Sequence, residues 1–394
     1  MGNSVRHEGR AGIRWVASKL NPTSNIHAPS SFFILHSSGD HQNLGSLAVL
    51  PLEVIQMVVM ACHLISDEYE NVRATSRAFR SAFDGLNTKL VLHGNLEQQL
   101  TDLVCCTPRI SEICMRHIKF SPHRLLKLVK GLRTLDLSTN KDIVRVAGGP
   151  TGFLQTLTQL QTLNLSDCAI EAAGAASLAL ALQCLTQLQT LNLRGNNIRA
   201  DGAASLALAF HDLIHLRELD LGHNWLDCEC QTMSDSVALA LQGLTHLQTL
   251  NLCGNHLGEA AIASLAPVIQ TLVHLRALDL SSNRFGAAGA VSLAPTLKAL
   301  TELQTLDLRD NSLLKAGAVS LASTLQGLTQ LLTLNLGDNG LHSGTVSLAP
   351  TLQGLTQIHT LNLRRNDLGA FVASLIFPAL IKSCICSPPN SCSW

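Results

Sequence analysis

Cys228-Glu229-Cys230, with His223 just upstream, is the stretch of this sequence whose residue types come closest to a metal site, because thiolates and imidazoles are ordinary zinc ligands. A Cys-x-Cys pair with one histidine supplies three donors and no clear fourth, so the spacing does not close a structural site. Cys384, Cys386 and Cys392 stand in a Ser- and Pro-rich end, residues 384–394, which reads as a tail. The last four residues, Ser391 to Trp394, do not make a prenylation box. No Walker-type phosphate loop, zinc-protease helix or nucleophile elbow occurs. The expectation is a binding protein with no catalytic residue, no metal and no cofactor.

The bulk properties narrow the partners. Lys plus Arg and Asp plus Glu both number 28, so no net field favours a nucleic acid or an anionic membrane. The apolar run from Leu47 to Ile65 is interrupted by Pro51, Glu53, Gln56 and His63, which argues against a membrane span. Twelve cysteines scattered through 394 residues read as reduced thiols of a cytoplasmic or nuclear protein. The chain is 46% hydrophobic but only 4% aromatic, so its core must be built from Leu and Ala at repeated positions.

Those positions are visible. The frame Leu-x-x-Leu-x-Leu-x-x-Asn closes at Asn140, Cys168, Asn196, Asn224, Asn255, Asn283, Asn311, Asn339 and Asn366. Within it Leu-x-Leu alternates with period two, as in Leu163-Asn164-Leu165, which predicts a short strand with its leucines on one face. The closing Asn can hydrogen-bond backbone where the chain turns away, and Cys168, standing in its place, is expected to be buried and structural. Runs such as Gly174 to Leu182 and Gly202 to Phe210 carry apolar residues at helical spacing. Pro267, Pro295 and Pro350 each follow Ser-Leu-Ala, which suggests that the regular part of those helices begins at Ser264, Ser292 and Ser347. Gly148-Gly149-Pro150 predicts a loop before a short helix.

This alternation of strand and helix resembles the ribonuclease-inhibitor-like class of leucine-rich repeats. The resemblance implies an α/β solenoid, a horseshoe with a parallel sheet inside, over residues 132–383. Degenerate capping repeats are expected over 93–131, with Leu90, Leu92 and Asn95, then Ile118 and Phe120 before His123, fitting parts of the frame. Some proteins of this repeat class stimulate GTP hydrolysis, a reading that rests here on fold-level analogy alone.

Residues 47–92 lack the frame. Leu50-Pro51-Leu52-Glu53-Val54-Ile55, an acidic Asp67-Glu68 and Arg77-Ala78-Phe79-Arg80 take its place, with Pro51 and Glu53 suited to the first turn of a helix. This stretch resembles an F-box, a small all-α module, and residues 1–46 before it read as a disordered tail. The family usually has Trp where Phe79 stands, and an aliphatic residue and often a Cys where Thr75-Ser76 stand. The resemblance implies that Leu50, Pro51, Val54, Ile55 and Val72 dock onto the Skp-type adaptor of a cullin-RING ubiquitin ligase. A helical cap on the solenoid's open end is the alternative. The Gly-Ala-Ala-Ser-Leu-Ala runs also resemble GALA-type F-box effectors.

Between the inward leucines lies a polar ladder, Asp136, Asn164, Asn192, Asp220, Asn251, Asp279, Asp307, Asn335 and Asn362, open to a protein target or to solvent. The repeat from Asn224 to Asn255 breaks the 28-residue clock, being 31 long, and sets Trp225 where other repeats have small or polar residues. Asp220, His223, Trp225, Asp227 and Glu229 are the expected target-binding patch. The competing expectation is an indole folded over its own insertion.

Overall fold

The computed structural model describes residues 13–14, 31–37, 88–93, 110–116, 131–141, 151–226 and 235–367. The chain divides into two compact units, Met1–Cys168 and Ala169–Trp394.

In the first unit, β1 (Ile13–Arg14) runs antiparallel to β2 (Ser31–Ser37). Strands β3 (Thr88–His93), β4 (Ile110–Arg116), β5 (Thr134–Asp136) and β6 (Thr162–Asn164) then follow β2 in parallel, each beside its predecessor. Strands β1 and β2 lie within residues 1–46, the stretch read from sequence as a tail. The run Phe32-Phe33-Ile34-Leu35 is rich in strand-favouring residues. Leu90 and Leu92 fall on β3, in register with Ile113 and Met115 of β4. Ile113 pairs with Leu135, and both Ile113 and Met115 are buried, whereas Ile118 and Phe120 lie outside the described residues. Asn140 reaches back to this strand: its Nδ2 donates to the Met115 carbonyl at 2.7 Å. A short helix, α1 (Thr151–Leu154), follows Pro150 as the sequence suggested.

The second unit is a run of strand-helix repeats. Strands β7 (Thr190–Asn192), β8 (Glu218–Asp220), β9 (Thr249–Asn251), β10 (Ala277–Asp279), β11 (Thr305–Asp307), β12 (Thr333–Asn335) and β13 (Thr360–Asn362) form a parallel sheet in chain order. Each is three residues long, with its central leucine buried in β7 to β12 and half-buried in β13, and its outer residues turned to the other face. Against the leucines pack α2 (Glu171–Leu182), α3 (Arg199–His211), α4 (Asp235–Leu241), α5 (Glu259–Thr271), α6 (Gly286–Leu297), α7 (Leu314–Leu325) and α8 (Thr345–Gly354), each beside the next.

The prolines sit differently from expectation. Pro267, Pro295 and Pro350 lie inside α5, α6 and α8, and Ser264 and Ser292 are not helix starts. A proline frees the carbonyl four residues back. Here those residues, Ala263, Val291 and Val346, are on the solvent side, where water can take the bond.

The closing asparagines tie the repeats together. Asn224 Nδ2 donates to the Leu193 carbonyl of the previous repeat (2.9 Å) and to the Leu221 carbonyl of its own (3.0 Å). Its Oδ1 accepts from the Asn196 amide at 2.9 Å. Asn255, Asn283, Asn311 and Asn339 repeat the pattern, all buried. The residues on either side of such an Asn bend into left-handed backbone, His223 and Trp225 around Asn224 and Ser282 and Arg284 around Asn283 among them. Cys168 is buried as expected, its thiol donating to the Leu137 carbonyl at 3.1 Å. Burial pushes its pKa up to about 11.

Candidate functional site

The turn that leaves β8 carries three of the residues singled out from sequence. Asp220 ends the strand, half-buried, its Oδ1 accepting from the Gly222 amide (2.8 Å) and its Oδ2 from Asn251 Nδ2 (3.1 Å). Burial raises its carboxyl above the ordinary aspartate value, against the lowering effects of the Gly222 amide and the Arg194 charge. His223 and Trp225 then project on either side of the buried Asn224, with φ of 55° and 54°. For side chains of this size left-handed backbone is costly, so the fold holds them there against local preference.

Trp225 is 55% exposed, so it is not folded away inside its repeat. Its ring packs on His256, with centroids 4.6 Å apart and planes tilted by 31°. His223 is exposed too, and its ring lies over Gly254 of the next repeat: a Cβ built there would come within 2.5 Å of the imidazole. Gly254 itself has left-handed backbone, φ +65°, and its lack of a side chain leaves room for the ring.

The sequence reading missed His256, Gly254, Arg194 and Cys253. His256 follows Asn255 as Trp225 follows Asn224, so comparing equivalent positions of neighbouring repeats would have found it. Arg194, Gly222 and Cys253 also share one repeat position. The Arg194 guanidinium crosses the bare Gly222 and donates from Nη1 to the Cys253 sulfur at 3.1 Å. A Cβ on Gly222 would lie 2.9 Å from both atoms.

The polar ladder holds its own turns. The Oδ1 atoms of Asp220, Asn251, Asp279, Asp307 and Asn335 each accept from the amide two residues on, and Asn335 Nδ2 donates to Asp307 at 2.8 Å. Burial raises the Asp307 carboxyl as well. Among the described residues no group of three or more His, Cys, Asp or Glu is placed to hold a metal ion.

Asp227, Glu229, Cys228 and Cys230 lie outside the described residues, as do Cys384, Cys386 and Cys392 and the adaptor-binding candidates Leu50, Pro51, Val54, Ile55 and Val72.

A family model described as "Leucine Rich repeat" matches residues 156–179, 185–207, 213–227 and 271–294. The chain carries leucine-rich repeats. No curated protein is similar enough in sequence to count as a relative. Among solved structures, this leucine-rich-repeat chain is similar to an internalin (inlF) from Listeria monocytogenes at 20% identity and TM-score 0.47, over 85% of this chain and 95% of that one. It is similar to LegL7 from Legionella pneumophila at 18% identity and TM-score 0.43, over 77% and 95%. A third likeness is to TLR13 in a complex with ssRNA13, at 21% identity and TM-score 0.36, over 71% of this chain and 46% of that one. Among the described residues no helix is long and apolar enough to cross a membrane.

Proposed function

We propose that this chain is the substrate-recognition subunit of a Skp-cullin-F-box ubiquitin ligase, acting in the cytoplasm or nucleus. Leucine-rich repeats provide a protein-interaction fold, and the exposed Trp225 on its left-handed turn is the observation that carries target binding there. An aromatic anchor with polar neighbours is a common hot-spot composition. The ligase assignment draws on the F-box-like motif around Leu50-Pro51-Leu52-Glu53 and Arg77-Ala78-Phe79-Arg80. Strands β2 and β3 are parallel neighbours, so residues 38–87 connect them, a connection twice as long as that between β7 and β8. Its length leaves room for a module of its own.

In this role the chain performs no ubiquitin chemistry. It holds the target near the charged carrier enzyme and so raises its effective concentration. Phe79 and Thr75-Ser76, which depart from the F-box pattern, favour a second reading, a protein-interaction scaffold without an adaptor. Copurification of the full chain with a Skp-type adaptor tests the proposal. Coelution supports the ligase; failure of every adaptor to coelute leaves the scaffold.

A further inference from the structure

The residue after each closing asparagine of the second unit has left-handed backbone, a conformation that suits Gly, Asn and Asp and is costly for bulky side chains. Asn197, Gly340 and Asp367 fit that preference, and Ala169 and Ser312 are at least small. Three successive repeats do not fit it. The turns that leave β8, β9 and β10 hold Trp225, His256 and Arg284 there, with φ of 54°, 56° and 57°. Strain of this kind collects at binding surfaces, and here it is kept in three neighbouring repeats together. The Trp225 indole packs on the half-buried His256, and Arg284, one repeat further, is exposed. Among the described residues its guanidinium has no hydrogen-bond or ion-pair partner, whereas Arg309 and Arg365 share Asp338. The carboxylates that end β8 and β10, Asp220 and Asp279, are each engaged by the amide two residues on.

We propose that this row binds an extended segment of the target that carries an apolar side chain over Trp225 and, three residues away, an anionic one, carboxylate or phosphate, on Arg284. The proposal rests on the reading of Trp225 as the target anchor and adds what the target must carry. Charge complementarity selects the anion: a planar guanidinium that the fold leaves without a partner matches a carboxylate or phosphate bidentately. Spacing selects the segment. Neighbouring strands lie about 4.8 Å apart, so Trp225 and Arg284, two repeats apart, are separated by roughly 10 Å. A polyproline-II segment has about three residues per turn and rises ~3.1 Å per residue, which sets positions i and i+3 on one face about 9 Å apart. A β-strand fits less well, because residues on one of its faces are spaced by about 6.7 Å or about 13 Å. His256 then lies under the two intervening residues, and the exposed His223 flanks the apolar one.

Fluorescence polarisation of labelled peptides with the full chain tests this. The probes carry Leu-Pro-Pro-Glu or the reverse order in a proline-rich host, with Glu replaced in turn by phosphoserine and by Lys, and with one or three prolines in place of two. The Glu or phosphoserine peptide is expected to bind at least about tenfold more tightly than the Lys peptide, and whichever of the two anions binds better identifies the source of the charge. Arg284→Glu is expected to reverse the preference in favour of the Lys peptide, a gain of binding that misfolding cannot produce. Trp225→Ala is expected to weaken every peptide. Binding without regard to charge or spacing overturns the proposal, as does a wild-type chain that binds none of the peptides at its highest soluble concentration. If Trp225→Ala weakens binding while Arg284→Glu leaves the preference unchanged, the anionic specificity falls and the Trp225 site stands. Adaptor coelution is measured on the same variants and reports on the ligase reading separately.

Discussion

The Trp225 indole rests on the His256 imidazole of the next repeat, ring centroids 4.6 Å apart, while its own backbone stays in the left-handed region. Contact and strain together predict two separable effects. Trp225→Asn places a residue tolerant of that conformation there, as Asn197 is at the equivalent position with φ 54°. Stability should rise by up to about 1 kcal/mol, read by thermal melting. Binding to a copurified target should weaken by about 2 kcal/mol, more than tenfold, read by titration. Unchanged affinity would remove Trp225 from the site.

Asn255→Ala should be far more damaging than its small change of volume suggests. The side chain donates to the Leu221 and Leu252 carbonyls, both at 2.9 Å, and accepts from the Asn224 amide at 2.7 Å. Leaving these buried backbone groups unpaired should cost about 3 kcal/mol or more. Asn255→Cys should recover part of the loss, since Cys168 shows that a thiol can make one of the bonds. Chemical denaturation of the three proteins checks the ranking.

Cysteine alkylation should separate the thiols by environment. Cys184 is exposed and should react with iodoacetamide near neutral pH, whereas Cys168, buried with a pKa of about 11, should stay unmodified until the chain unfolds. Gly222→Ala should push the Arg194 guanidinium off Cys253 and, by removing the charge that favours its thiolate, lower the labelling rate at Cys253 alone. Peptide mass spectrometry reads all three sites.

The acid limb of the stability curve should carry the mark of Asp338. Burial raises its carboxyl, but Arg309 at 2.7 Å and Arg365 at 3.3 Å outweigh that and hold it below its ordinary 3.8. A depressed folded pKa contributes stability that is present above the unfolded value and lost as pH falls through the folded one. Asp338→Asn should therefore lower stability at neutral pH by less than about 1 kcal/mol, because the arginines are exposed, and thermal melting reads the loss. The difference should vanish in acid. A gap between variant and wild type that persists there contradicts the assignment.

The repeat clock was legible because one buried leucine per strand and one buried Asn per turn must recur wherever a new repeat stacks. Trp225 and His223 stood out as departures from it. His256 and Gly254 did not, since their importance lies in what the neighbouring repeat lays on them. The strand Ile110–Arg116 was not legible because Ile113-x-Met115 and Ile118-x-Phe120 alternate equally well in the sequence, and what marks the first pair is the reach of Asn140 to the Met115 carbonyl. Pro267, Pro295 and Pro350 were misread for a related reason: whether a helix tolerates proline depends on which side the freed carbonyl faces.

The asparagine rungs also bear on how such a chain changes in length. Asn283 bonds to the Leu252 carbonyl and to the Asn255 amide, and Asn311 bonds in the same way to Leu280 and Asn283, 28 residues further on. One rung can stand in for the other. Excision or duplication of a whole unit between two asparagines leaves every buried group matched, whereas loss of a few residues within a unit does not. Genes encoding such a chain can therefore gain or shed repeats by unequal crossing-over while each product still folds, and binding surfaces of different extent lie one recombination apart.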